Sequence, residues 1–293
     1  MQKKKLVIVG ATGYVGKAIY AQSLNDFEII RTSTQGGSDL VSLDLRDPQA
    51  YDYSNIDSKT YVAVLAAISS PDICANQNSY AWAVNVLGTA EFIEQILARK
   101  GRVIFFSSDT VYGERDEETD ERAPVNPAGE YALMKNAIEQ KFLNHPSFKT
   151  VRLSYVFSKT DKFTRYLIEL AERNEEVEIF HPFYRSIIHL DDVSEGILSL
   201  INKWHIFPQS IINFGGPENL SRLEFAQILK EMVIKNLRYR VSLPDDSFFK
   251  NRPRKISMQS NLLENLLGRS TRSLRDAVKV EFSSNKANQY SCR

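Results

Sequence analysis

The sequence predicts an α/β fold built on a doubly wound parallel sheet, with a smaller α/β region toward the C-terminus. Three observations carry that expectation. Through the first 110 residues, short apolar runs alternate with longer stretches of helical spacing, the texture of successive strand–helix–strand units. A glycine-rich segment, GATGYVG, falls directly between the first run and the first helical stretch. The chain has 293 residues, 43% hydrophobic and 25% charged, a globular balance for roughly two domains that excludes a mainly disordered protein.

Residues 6–9, 27–30, 61–65 and 103–106 read as strands, apolar throughout as in a sheet covered on both faces. Residues 15–24 and 82–97 read as the helices between them. Leu43, Asp44 and Leu45 read as a further short strand. Beyond residue 158, residues 160–173 form an amphipathic helix with a polar end at 174–176. Residues 191–202 form another, with Asp191 or Asp192 near its cap. Residues 211–214 are a strand closed by Gly215, Gly216 and Pro217. Ser221 opens a helix, with Glu224 completing a capping box. A last helix, 262–267, stops at Gly268, and the basic, polar tail from Asn285 has no assigned role.

Composition removes several function classes. Lys plus Arg is 37 and Asp plus Glu is 36, so no cationic excess exists to neutralise a nucleic-acid backbone. Cys74 and Cys292 make neither a disulfide framework nor a zinc site, and a reducing, cytoplasmic setting is expected. No apolar stretch approaches the ~18 residues of a membrane span. The four-residue apolar run after MQKKK is too short for a signal peptide. None of the four histidines lies in a nucleophile setting, there is no GxSxG or HExxH, and no metal is expected; His189 reads as a core histidine.

The glycine segment suits a dinucleotide. Gly10 allows the tight turn, Gly13 lets the backbone approach a pyrophosphate, and Gly16 lets the helix pack on the strand. The helix N-terminus offers unpaired N–H groups to phosphate, and Thr12, Tyr14 and Val15 are counted with the glycines as cofactor contacts. No acid ends the second strand. Arg31, Thr32 and Ser33 stand there, and a guanidinium beside hydroxyls suits a 2′-phosphate, hence NADP(H), with NAD the alternative. Asp44, with Leu45, is placed to accept from an adenine amino group.

Tyr131 and Lys135, in YALMK, share one helix face. Free tyrosine titrates at about 10, and a neighbouring ammonium is expected to lower that value. Ser108 lies 23 residues earlier, at the end of a parallel strand where ligands bind, and can orient a reacting oxygen. The trio suits hydride transfer coupled to proton transfer.

In order, GATGYVG, LDLRD, LAAISS, NVLGT, FSSDTVYG, YALMK, VRLSYVF, IIHLDDVSEGI and INFGGPENLSRLEFA resemble the extended short-chain dehydrogenase/reductases of the NAD-dependent epimerase/dehydratase family. SSDTVYG, RLSYVF and RPRKISM are most similar to the dTDP-4-dehydrorhamnose reductases within it. The resemblance implies a Rossmann-type cofactor domain, residues 1–158 with 186–214 returning to the sheet, and a nucleotide-sugar domain of 159–185 and 215–293. It implies Ser108 as catalytic serine, Tyr131 as proton donor, Lys135 on the nicotinamide ribose, and Asn85 as support for the active-site network. Ala66 and Ala67 are small residues that let the cofactor pass. Ser69 and Asp109 are substrate contacts, with Arg185 and Arg252 as diphosphate ligands.

The activity so implied is NAD(P)H-dependent reduction of a nucleotide-linked 4-keto-6-deoxy sugar. The chain departs from the reductase pattern at HPFYRSI and at Ala132, where glycine is usual. Two alternatives therefore stay open: a nucleotide-sugar epimerase with bound NAD(P), and a regulatory subunit similar to that of methionine adenosyltransferase. The resemblance also implies a homodimer through the helices after NVLGT and around YALMK.

Overall fold

The computed structural model describes residues 3–283; Cys292 and the tail from Asn285 lie outside them. The first half runs β1 (Lys4–Val9), α1 (Tyr14–Ser23), β2 (Phe27–Ser33), β3 (Val41–Ser42), β4 (Thr60–Val64), α2 (Pro71–Asn76), α3 (Asn78–Trp82), α4 (Thr89–Ala98), β5 (Arg102–Ser108), β6 (Glu118–Thr119), α5 (Glu130–Phe142) and β7 (Phe148–Leu153). The second runs β8 (Val156–Phe157), α6 (Lys162–Glu172), β9 (Glu176–Phe180), β10 (Tyr184–Ser186), β11 (Ile188–His189), α7 (Leu190–Asn202), β12 (Ile211–Phe214), β13 (Asn219–Ser221), α8 (Arg222–Met232), β14 (Arg238–Ser242), α9 (Asp246–Phe249), β15 (Ser257–Met258), α10 (Asn261–Leu267) and α11 (Leu274–Phe282).

The central sheet has seven strands in the order β12-β7-β5-β4-β1-β2-β3, with every pairing parallel. The chain winds outward from β1 to β3, then crosses back to β4, so the order reverses between β1 and β4. Ligands bind at the carboxyl ends of strands at such a reversal. Side chains alternate across the sheet. Leu6 and Ile8 pack with Ile19 of α1 and Val193 and Ile197 of α7. Val7 and Val9 pack on the other face with Phe92 and Ile96 of α4 and Ile138 of α5. Burying both faces explains the continuous apolar strands. A second apolar cluster, with Leu167 of α6, Val177 of β9, Phe225 of α8 and Val278 of α11, makes a smaller lobe. Its α8 carries both arms of the capping box between Ser221 and Glu224.

Two local expectations change. The helix expected over 82–97 is broken by a wide π-type turn, Ala83–Gly88, between α3 and α4. The turn carries Asn85, whose side-chain amide bonds both backbone groups of Ile68, accepting from its N–H at 2.8 Å and donating to its carbonyl at 2.9 Å. The strand expected at 43–45 lies two residues earlier, where Val41 and Ser42 pair with Thr32 and Ser33. The chain then leaves the sheet edge because Leu43 and Leu45 turn into the core beside Val9.

Candidate active site

A cavity of about 590 Å³ opens at the carboxyl ends of β1, β2, β4, β5 and β7, within the size range of small-ligand and cofactor sites. The glycine loop forms one wall. Gly10 takes φ +86°, and a Cβ on Gly16 would lie 2.4 Å from the Gly10 carbonyl, so the crossing of loop and helix requires glycine there. Helix α1 begins with no side-chain cap and no acid in its first turn, leaving N–H groups open for an anion. Gly10, Thr12, Gly13, Tyr14, Val15 and Gly16 all line the cavity. So do Ala66, Ala67 and Ser69 after β4, and Asp44 and Leu45 after β3.

Tyr131 and Lys135, one turn apart on α5, line the opposite wall. The Lys135 ammonium donates to the Phe106 carbonyl at 2.8 Å and lies 5.7 Å from the centre of the Tyr131 ring. Burial pulls its pKa down to about 8. Burial also pushes the Tyr131 phenol above its ordinary value, and the charges of Cys74 and Asp109 act in the same direction. The expected lowering of Tyr131 by Lys135 is therefore reversed. Desolvation outweighs a cation whose bond goes to a backbone carbonyl, so the phenol is held above its ordinary value.

Ser108 ends β5 but does not line the cavity. Its hydroxyl donates to Asp109 Oδ1 at 3.1 Å and accepts from the Thr110 N–H at 3.2 Å and hydroxyl at 2.9 Å. One donor and two lone pairs are thereby all engaged. Ser107 lines the cavity instead, and its buried hydroxyl has no hydrogen-bond partner. Sequence reading passed over Ser107 because neighbouring serines cannot be told apart until the strand's pleat assigns their faces.

The structure places five other expected site residues away from this cavity: Arg31, Asn85, Asp109, Arg185 and Arg252. Arg31 does not line the cavity: its guanidinium lies 4.1 Å over the Tyr20 ring and 3.7 Å from Asp39, because its place in β2 sends it to the face that α1 covers. Arg46 lines the cavity in its place. Its Nε and Nη2 fork onto Asp44, holding that carboxyl below its ordinary pKa, so Asp44 is already engaged. The signal was present in LDLRD, where Arg46 follows Asp44 at strand-like spacing. Asn85 does not line the cavity and acts through Ile68, which does.

Asp109 and Arg185, expected as substrate contacts, are buried and bonded to the protein. Asp109 Oδ2 accepts from the Ser154 hydroxyl at 2.9 Å and lies 3.5 Å from Arg185 Nε. Arg185 Nη1 and Nη2 donate to the carbonyls of Tyr184 and Pro253 at 2.6 and 2.9 Å. Burial raises the pKa of Asp109 and lowers that of Arg185. Arg252 donates to Asp72 at 2.5 Å and to the Phe248 carbonyl at 3.4 Å. Arg185 ties the smaller lobe to the end of β5 through Asp109, and Arg252 ties it to α2 through Asp72.

The residues present fit a nicotinamide dinucleotide. The open helix N-terminus and glycine crossing accommodate a pyrophosphate, and the unpartnered Ser107 hydroxyl awaits a polar group on the ligand. Among the described residues, no three His, Cys, Asp or Glu side chains converge to hold a metal ion. No helix among them is long and apolar enough to cross a membrane.

A glycine loop and a tyrosine–lysine helix facing one another across such a reversal belong to the extended short-chain dehydrogenase/reductases, and this chain is one of them. The RmlD substrate binding domain model matches residues 4–285, so the chain belongs to that family. It is similar to N-acetyl-alpha-D-glucosaminyl-diphospho-ditrans,octacis-undecaprenol 4-epimerase of Escherichia coli O157:H7, 30% identical over 141 residues, which span 46% of this chain and 41% of that protein. Methionine adenosyltransferase 2 subunit beta of Bos taurus is 22% identical over 76% of this chain and 70% of its own. The structure of dTDP-4-dehydrorhamnose reductase from Bacillus anthracis str. Ames in complex with NADP superposes with a TM-score of 0.79, 21% identity, and coverage of 96% of this chain and 99% of that one.

Proposed function

We propose that this chain is an NADP(H)-dependent reductase of a nucleotide-linked 4-keto-6-deoxy sugar. The observation that carries the reading is Tyr131 one turn from Lys135 on the cavity that holds the glycine loop. A bound nicotinamide dinucleotide supplies the hydride that reduces the ketone carbon. Tyr131 gives its phenolic proton to the ketone oxygen, so ketone, hydride and proton become an alcohol. The resulting phenolate is stabilised by the Lys135 ammonium and regains a proton from water. Ser108, next to the cavity-lining Ser107, reaches the reacting oxygen only when its hydroxyl turns away from Asp109, and in this reading it then holds that oxygen.

NADP(H) is favoured over NAD(H) because the cavity's far end carries Thr32, Ser33, Thr34 and Arg46, while its one carboxylate, Asp44, is tied to Arg46. The chain pairs with a second copy through α3, the π-type turn and α5, where Tyr80, Leu87 and Leu133 are exposed apolar side chains.

The test is NADPH oxidation against a panel of nucleotide-linked 4-keto sugars, with Tyr131→Phe alongside. Oxidation by the wild type, reduced in the variant by roughly 10²–10⁴-fold as for loss of a general acid, supports the reading. No oxidation by either refutes it. Turnover without net change of cofactor would establish the second reading, an epimerase, which the 30% identity to a 4-epimerase favours.

A further inference from the structure

Tyr131 and Lys135 come from α5, while Ser108 ends β5, so the trio keeps its geometry only while helix and strand keep theirs. The apolar contacts under α5 do not fix that relation. Ile138 and Phe142 pack there with Phe148, the two rings 5.3 Å apart, and such contacts are non-directional. Hydrogen bonds to a charged fork are directional. One bond ties Lys135 to the Phe106 carbonyl. One turn further along α5, Glu139 meets Arg152 of β7. Arg152 Nε donates to both carboxylate oxygens at 3.3 and 3.2 Å, and Nη2 donates to Oε2 at 2.6 Å. The side chains are 0% and 3% exposed.

Arg152 reaches the serine side as well. It stands in register between Ser107 of β5 and Asn213 of β12. Its guanidinium carbon lies 4.7 Å from the centre of the Tyr112 ring. Tyr112 closes the short helical turn, Asp109–Tyr112, that the Ser108 side chain caps. The Tyr112 hydroxyl donates to Asn213 Oδ1 at 2.8 Å, which fixes the ring against the same row of strands. One guanidinium therefore contacts both the helix that carries Tyr131 and the turn that starts at Ser108.

Stability does not call for this arrangement. Two charges taken out of water regain in mutual attraction roughly what they lose in hydration, and apolar residues of similar volume often serve as well. Apolar residues cannot supply a fork that accepts one orientation. We propose that Arg152 is a positioning residue that fixes the spacing between Tyr131 and Ser108, through Glu139 on one side and Tyr112 on the other. This role rests on the reductase reading above, and it belongs to a residue that lines no part of the cavity.

The experiment compares single-turnover NADPH oxidation, with the best 4-keto sugar nucleotide of the panel above, in wild type, Arg152→Met, Arg152→Lys and the double variant Glu139→Met with Arg152→Met. Melting temperature, NADPH affinity and the pH profile of the rate are read on the same proteins. Arg152→Met melts below wild type, because Glu139 is left buried and unpaired. The double variant melts with wild type, because neither charge remains. Its hydride-transfer rate at saturating substrate still falls roughly ten- to a hundredfold, the loss that a misplacement of about 1 Å brings. NADPH affinity and the half-saturating substrate concentration stay unchanged. Arg152→Lys keeps the charge without the fork, and its rate falls between wild type and the double variant.

A double variant that is stable and transfers hydride as fast as wild type overturns the positioning role and leaves the pair structural. A double variant that melts as low as Arg152→Met makes the pair a requirement of folding and overturns it too. So does a rate lost only through a displaced pH profile, since Glu139 also supports the charge on Lys135 and that result would mark lost charge rather than lost spacing. A wild type that oxidises NADPH with no member of the panel overturns the reductase reading itself, and this proposal with it.

Discussion

Lys135 offers a test in which function and stability oppose each other. Its ammonium is almost wholly buried between Phe105 and Tyr131, with the Phe106 carbonyl as its bond acceptor. Burial pulls its pKa from an ordinary 10.5 to about 8. At about 1.4 kcal/mol per pH unit, holding that charge costs the folded, cofactor-free chain about 3 kcal/mol at neutral pH. Between pH 8 and 10.5 the unfolded chain binds the proton and the folded chain does not, so this group makes stability rise with pH across that window and level off above it. Arg and Met differ from Lys in shape and charge; Lys135→Met keeps the stem and removes the charge. Its cofactor-free form should melt roughly 5–10 °C above wild type at pH 7, with the gap closing toward pH 10.5. The same variant should lose NADPH oxidation. The assay is thermal unfolding followed by circular dichroism at a series of pH values. A variant less stable than wild type at pH 7, or a gap independent of pH, would refute the reasoning.

Two further outcomes follow from the structure. Arg46→Ala should weaken NADPH binding several-fold while leaving NADH binding near wild type, and Arg31→Ala should change neither, since only Arg46 lines the cavity; fluorescence titration with both cofactors decides. Glu139→Gln should leave Arg152 buried without its counter-charge, lowering stability by about 3 kcal/mol in urea unfolding. A loss under 1 kcal/mol would mean that Tyr112, 4.7 Å from the guanidinium, carries most of the stabilisation.

What was legible in the sequence was local. The turn at Gly10 and the crossing at Gly16 involve residues within one strand–loop–helix, so their spacing already specifies them. Tyr131 and Lys135 are neighbours on one helix turn, and four residues of spacing place them on one face. The apolar strands announced a sheet covered on both sides. The π-type turn at Ala83–Gly88 was not announced, because a single widened turn leaves the apolar spacing of the flanking helices nearly intact.

The sequence by itself therefore determined the parallel sheet, the glycine loop and the tyrosine–lysine pair, because each is set by residues close along the chain. Only the tertiary structure decided which arginine reaches the cofactor cavity, since the pleat of β2 and the path after β3 turn Arg31 away and bring Arg46 in. It alone decided that burial raises the Tyr131 phenol, because desolvation depends on what packs around it.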